Sequence, residues 1–331
     1  PLLPNVDTYI FAHGADIQPW YRRSYNYVTA EEIKEAKLLF EKKERMWREV
    51  YAESSRRNIK FIFVSEYLKR TVSEDYGFEF DEKNSLVIHN CIDTELFSYE
   101  KKSASQRFNI LSVKSFANKN YANDISAKAI AELSKYPEFK RMKFDIYGEG
   151  ARFKEDTKSL KRFKNVNLCE RYLTPAEIAK EHKTHGIFLC TTRMDTQGVS
   201  RDEAMSSGLV PVTNLVAAVG EFTDETCAVL AGNEDYKGIA RGILRLVRNP
   251  ALFLKMSENA AKRVRRQSSA DIVLEREIGL TGEGGASLLP QGVQVLNDPV
   301  PAAFRAEVKT RGIRRNGLPV ADMVSGHHGE A

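Results

Sequence analysis

The chain has 331 residues, 42% of them hydrophobic and 29% charged, with a formal net charge of +5. This is a globular balance that excludes a disordered or acidic solvating chain, and no apolar run is long enough to cross a bilayer as a helix. The length predicts two α/β units, or one unit with extensions.

The opening PLLPNVDTYIF has neither the basic start nor the long apolar stretch of a secretory leader, so the default expectation is cytoplasmic. From Thr29 the segment TAEE reads as a capping box, with Glu32 three residues after Thr29. Ile33, Ala36, Phe40, Trp47 and Val50 then fall on roughly one face of a long amphipathic helix. KFIFVSEYLKRTVSEDYG predicts a buried strand, a Ser65 cap, a second helix and a stop at Gly77. SLVIH, at 85–89, predicts another short strand, and the polar stretch FSYEKKSASQ after it reads as a linker. The expected boundaries are a partial N-terminal Rossmann-like domain over 1–100, a C-terminal one over 101–280, and an irregular Gly/Ala/Pro-rich tail over 281–331.

Within 101–280, FNILSV, MKFDIYG, NVNLC, GIFLCT and VPVTN recur as apolar runs separated by helical segments, which predicts a parallel sheet. TPAE at 174–177 is a helix start with proline at the first position, and YKGIARGILRLVRN has apolar residues at helical spacing. Open parallel sheets bind ligands beyond the carboxyl ends of their strands. The site is therefore expected at residues 114–119, 148–150 and 191–203. The tail suggests one short helix over 302–308, and His327 and His328 are assigned no role. Cys91, Cys169, Cys190 and Cys227 are widely spaced without a C-x-x-C pair, as expected of buried thiols in a reducing compartment. The basic clusters YRRS, RRN, KSLKRFK and AAKRVRRQ lack RNP-type aromatics, zinc-finger spacing or a helix-turn-helix pattern. They read as solvated helix faces, and no nucleic-acid partner is expected.

The residues from Asp195 to Pro211, DTQGVSRDEAMSSGLVP, carry the densest signal. A glycine at 198 lets backbone amides approach a ligand, and a helix starting directly after it turns its positive end toward a diphosphate. This stretch closely resembles the signature of family 4 glycosyltransferases: two acidic residues eight positions apart flank a Gly-rich turn, followed by E-A-M/L-A-x-G-x-P-V. Asp195 stands where the family usually has Glu.

The resemblance implies a GT-B fold of two Rossmann-like domains, here with the N-terminal one incomplete because the family's opening strands and glycine-rich loop are absent. Either the missing strands come from a longer chain, or the first domain is a poorly supported fragment. It also implies retaining transfer of a sugar from a nucleoside diphosphate sugar to a glycan or glycoconjugate, in surface polysaccharide synthesis at the cytoplasmic membrane face. No cofactor and no metal are implied. By this resemblance Glu203 binds ribose hydroxyls, and Asp195 holds a hydroxyl of the donor sugar. Lys119 takes the place of the phosphate-binding Lys, and Lys114 and Ser115 compete for the place of its Arg partner. Gly148 and Gly150 form the G-x-G turn by the nucleotide, Gly198 and Val199 meet the diphosphate, and Glu221 lies near the ribose or base. In the first domain, His13 in IFAHG matches the active-site His that faces the donor sugar. VSEYLKRTV and VIHNCIDTELF resemble further family segments, with Cys91 where the family has Gly. Two other classes remain open: a nucleotide-sugar-binding module without turnover, and another GT-B enzyme such as a sugar-nucleotide epimerase or a phosphorylase.

Overall fold

The computed structural model describes residues 7–280, so the expectations for 281–331, including the 302–308 helix and the two histidines, lie outside the described residues. The fold is α/β with two parallel sheets. The first has the order β1-β2-β3, formed by β1 (Thr8–Ala12), β2 (Ile59–Phe63) and β3 (Ser85–Val87). Helix α1 (Ala30–Ser54) connects β1 to β2, and α2 (Glu66–Tyr76) connects β2 to β3. The Thr29 hydroxyl accepts the Glu32 N–H while the Glu32 carboxylate returns to the Thr29 N–H, the reciprocal cap expected of TAEE. Ser65 caps α2, and Gly77 ends it in the left-handed conformation, φ 70°. Phe61, Phe63, Leu68 and Val72 are fully buried and pack with Trp47 of α1. β3 stops two residues before the expected His89.

The second sheet comprises β4 (Asn109–Val113), β5 (Lys143–Gly148), β6 (Val166–Glu170), β7 (Ile187–Leu189), β8 (Val210–Asn214) and β9 (Val229–Ala231), in the order β6-β5-β4-β7-β8-β9. Every pairing in it is parallel. Counted from β4, this is the 3-2-1-4-5-6 order of a dinucleotide fold, with its topological switch between β4 and β7. The connecting helices are α3 (Asn123–Leu133), α4 (Phe153–Thr157), α5 (Pro175–Thr184), α6 (Val199–Ser206), α7 (Val219–Phe222) and α8 (Tyr236–Arg248). All five residues of β8 are buried, as a strand covered on both faces requires. β9 is absent from the sequence-based expectation, because three residues between turns give no readable period.

The chain then runs through α9 (Pro250–Gln267) and back to the first sheet as α10 (Ala270–Gly279). Val273 packs with Ile62 and Ile88, Ile92 bridges to Ser269, and the Tyr9 hydroxyl donates to the Leu280 carbonyl. Both sheets belong to one compact unit. The linker is not loose: Lys102 is 4% exposed, and its ammonium donates to the His182 carbonyl at 2.5 Å. Burial pulls the Lys102 amine down to about 8. Cys91 does not take a positive φ, so cysteine fits that turn where the family's glycine would have allowed a left-handed one. Among the described residues no helix is long and apolar enough to cross a membrane.

Candidate functional site

The loop after β4 is built on the loop after β5. The Lys114 N–H donates to the Tyr147 carbonyl at 3.1 Å, and the Phe116 N–H donates to the Glu149 carbonyl at 2.9 Å. A Cβ on Gly148 would stand 1.8 Å from the Lys114 carbonyl oxygen, and one on Gly150 2.3 Å from the Phe116 carbonyl carbon. Both glycines have positive φ, 155° and 146°, so only glycine lets the two loops stack. Their Cβ sides face the 114–117 backbone. Ser115 shares this surface, its hydroxyl 3.4 Å from the Tyr172 hydroxyl, which itself donates to the Glu149 carbonyl at 3.0 Å.

Lys119 begins a short 3-10 turn and is held at its backbone from two sides. Its N–H donates to the Asn26 carboxamide oxygen at 3.1 Å, and its carbonyl accepts from the Arg193 guanidinium at 2.9 Å. Arg193 also grips Asp124 with two nitrogens at 2.9 and 3.0 Å and Glu234 at 2.6 and 2.9 Å. The pair draws the Asp124 carboxyl below its usual range, although burial pushes the other way. Lys114 and Lys119 are both half-buried. The Lys114 ammonium lies 6.0 Å from the Tyr121 ring centroid, and Lys119 acts electrostatically on Glu32 at the start of α1.

The loop from β7 into α6 crosses the switch point. Thr192 is anchored to Asn214 of β8 by bonds of 2.9 and 2.6 Å. The Asp195 carbonyl accepts from the Ala218 N–H at 3.0 Å, and its carboxylate accepts from the Gln197 N–H at 3.3 Å. Gly198, at φ 92°, is the N-cap of α6, and Val199 is the first helical residue. The first N–H groups of a helix lack intrahelical acceptors and attract anions. Beneath them Arg201 and Asp202 form an ion pair at 2.8 Å, with side chains 3% and 2% exposed. Burial pushes the Asp202 carboxyl up to about 6 against the pull of Arg201. Glu203 is half-buried on the same helix, and Cys190 just before the loop is buried, its thiol raised to about 11.

The first sheet presents His13, exposed and one residue past β1. The Asp16 carboxylate accepts the His13 and Gly14 N–H groups at 3.0 and 2.6 Å, fixing the turn. The Thr196 hydroxyl donates to the His13 carbonyl at 2.6 Å, so the loop bearing Asp195 and the strand end bearing His13 meet directly. Gln197, 1% exposed, adds a two-way bond to the Asn90 backbone: its oxygen accepts from the N–H at 2.6 Å, and its nitrogen donates to the carbonyl at 2.9 Å. Tyr25 donates to Asn120 at 2.7 Å.

The structure thus joins the loop of Asp195, Gly198 and Val199 to the His13 backbone through Thr196, and sets Lys114, Ser115, Gly148 and Gly150 on one another. Glu221 is engaged elsewhere. Its carboxylate accepts the Glu66 and Tyr67 N–H groups at the start of α2, at 2.9 and 3.1 Å, and lies 3.5 Å from the His89 imidazole. Burial would raise its carboxyl, but these bonds outweigh it and hold it below the usual range. Thr196, Gln197, Arg193 and Asn120 were not singled out from sequence. Each acts through a partner distant in the chain, which a motif cannot show. Among the described residues no group of three or more His, Cys, Asp or Glu is arranged to hold a metal.

The profile of the family described as "Glycosyl transferases group 1" matches residues 107–249, less than half of the chain. A search of curated sequences finds no match. Among solved structures, a TarM variant from S. aureus, in complex with fondaparinux, α-GlcNAc-glycerol and UDP, is similar with a TM-score of 0.64 at 18% identity. That match covers 84% of this chain and 51% of TarM, so the chain spans about half the length of that protein. WaaG, a glycosyltransferase involved in lipopolysaccharide biosynthesis, is similar with a TM-score of 0.64 at 15% identity, covering 85% of this chain and 76% of WaaG. HepE of Anabaena, in complex with UDP and glucose, gives 0.63 at 12% identity, covering 83% of this chain and 71% of HepE. At such identities the likeness is one of fold, and that fold is GT-B.

Proposed function

We propose that this chain is a retaining glycosyltransferase moving a sugar from a nucleoside diphosphate sugar to a hydroxyl of a glycan or glycoconjugate. The observation that carries the proposal is the Thr196–His13 contact: the loop beyond the switch point of one sheet, bearing Asp195, abuts the strand end of the other, bearing His13. A donor seated at the switch point would put its diphosphate over the first turn of α6 and its sugar between those two residues.

Transfer breaks the bond between the anomeric carbon and the β-phosphate oxygen and forms one to the acceptor oxygen on the same face, while the acceptor's proton leaves with the phosphate. Charge accumulates on that phosphate as the bond breaks. Lysine cations near it lower the barrier only to the extent that they bind the transition state more strongly than the ground state. Lys114 and Lys119 fit this task without a metal, Glu203 the ribose, and His13 a sugar hydroxyl or a proton in transit. Synthesis of a surface polysaccharide at the cytoplasmic face of a membrane fits the family signature and the WaaG likeness. A second reading, nucleotide-sugar binding without turnover, is favoured by the shorter Asp195.

The test is calorimetric titration of the chain with UDP, GDP, dTDP and ADP in EDTA, repeated with Glu203→Ala and Lys119→Ala. One diphosphate should bind, and both variants should weaken it by about tenfold or more, the worth of a charge-assisted contact. A folded wild-type protein that binds none of the four refutes the donor site.

A further inference from the structure

Arg22 and Arg23 are adjacent on the segment that follows the His13 turn, yet they have opposite surroundings. Arg22 is neutralised by Asp75, 4% exposed at its side chain, at 2.8 Å, and by Glu74 at 3.1 Å. Arg23, where the 3-10 segment kinks at φ −128° and ψ 30°, has no carboxylate partner among the described residues. Among the described residues its guanidinium donates only to the neutral Gln18 side-chain oxygen, at 3.0 Å. Gln18 is 4% exposed, and its Nε2, a donor, has no hydrogen-bond partner among the described residues. A guanidinium without a counter-charge attracts an acceptor-rich anion on its exposed side, and a turn of the Gln18 carboxamide about its last bond would bring its buried, unsatisfied donor to the same anion.

The pair stands at the meeting of the two sheets. Arg23 Nη2 lies 3.5 Å from the position a Cβ would take on Gly14, the residue after His13, and Thr196 occupies the same spot at 2.7 Å. We infer that Arg23 and Gln18 form an anion subsite beside His13, built to take a phosphate or carboxylate group. The inference relies on the proposed glycosyl transfer only for the carrier of that anion, either the donor's diphosphate or an acidic acceptor. The binding chemistry is the same for both.

The experiment titrates inorganic phosphate into the full chain, alone and saturated with UDP, and UDP into wild type, Arg23→Gln, Arg23→Lys and Gln18→Leu, with thermal melts as the check on folding. Phosphate should bind the wild-type protein and bind about tenfold or more weakly to Arg23→Gln, with Arg23→Lys recovering part of the loss. If UDP excludes phosphate and Arg23→Gln weakens UDP equally, the subsite holds the donor's diphosphate. If phosphate still binds with UDP present and UDP affinity is unchanged in the variants, the anion belongs to the acceptor. Should Arg23→Gln not fold, Arg23→Lys and Gln18→Leu carry the comparison. Phosphate that fails to bind wild type, or binds all variants alike while UDP affinity is unchanged, overturns the inference. Absence of nucleotide binding alone would sink the proposed function, whereas phosphate titration of the unliganded chain would still read this subsite.

Discussion

Replacing Glu221 with Gln removes one charge and leaves an amide of the same shape at a point where the two sheets are joined. The carboxylate, 21% exposed, takes two N–H groups from the first turn of α2, which would otherwise lack acceptors. Gln can replace one of these bonds with its oxygen, but it loses the charge at the positive helix end, about 0.5–1 kcal/mol in a partly buried setting. It also turns one charge-assisted bond into a neutral one and strands the other, for roughly 1–2 kcal/mol more. The expected loss is therefore about 2 kcal/mol at pH 7, read as the shift in urea midpoint at constant slope.

The pH dependence adds a second criterion. The folded carboxyl sits below its unfolded value of 4.5, so its contribution is present above that value and is lost as pH falls through the folded one. The gap between wild type and Glu221→Gln should close in acid. A gap under about 0.5 kcal/mol at pH 7, or one that persists undiminished where the carboxyl is protonated, would refute the reasoning.

Lys102→Met tests the opposite sign. The folded amine, pulled by burial to about 8 from 10.5, is costly when charged, so wild type should gain stability as pH rises from 8 to 10.5 and the variant should not. At pH 7 the variant should lose nothing and gain up to about 2 kcal/mol, and a loss above ~1 kcal/mol in denaturant melts would contradict this. Gly148→Ala places a Cβ 1.8 Å from a carbonyl at φ 155° and should cost upward of about 2 kcal/mol, whereas Gly77→Ala, with nothing within 4 Å, should cost only about 1 kcal/mol; equal melting points would contradict the loop-on-loop account. His13→Ala should keep nucleotide affinity within twofold while transfer falls by about 10²–10⁴-fold, and transfer at the wild-type rate would remove His13 from the chemistry.

Period and punctuation were enough for five strands of the second, parallel sheet, whereas the parallel sheet of the first domain was expected from the family resemblance. TAEE, Ser65, Gly77 and TPAE mark helix ends through local bonds, and those ends stand where the pattern put them. β9 escaped because its three residues, Val229–Ala231, lie between turns and show no period, and only their pairing with β8 identifies them as a strand. The 195–211 stretch pointed to a loop and helix at the switch point, since a glycine and a helix start are local features. What the sequence could not give was the second side of each contact. Gln197 reads as a polar loop residue until Asn90 is seen against it, and Arg23 reads as half of a basic dipeptide until Arg22 is seen to have taken the nearby carboxylates.

The return of α10 to the first sheet makes the peptide between β3 and β4 only one of two tethers. A protease that nicks the chain within 97–106 should not release two separate pieces, because residues 270–280 stay anchored beside Ile62, Ile88 and Tyr9. Removing everything after Gln267 does more damage than its length suggests. It takes Val273 away from Ile62 and Ile88 and exposes them to water, and the shortened product should aggregate where the nicked one stays in solution.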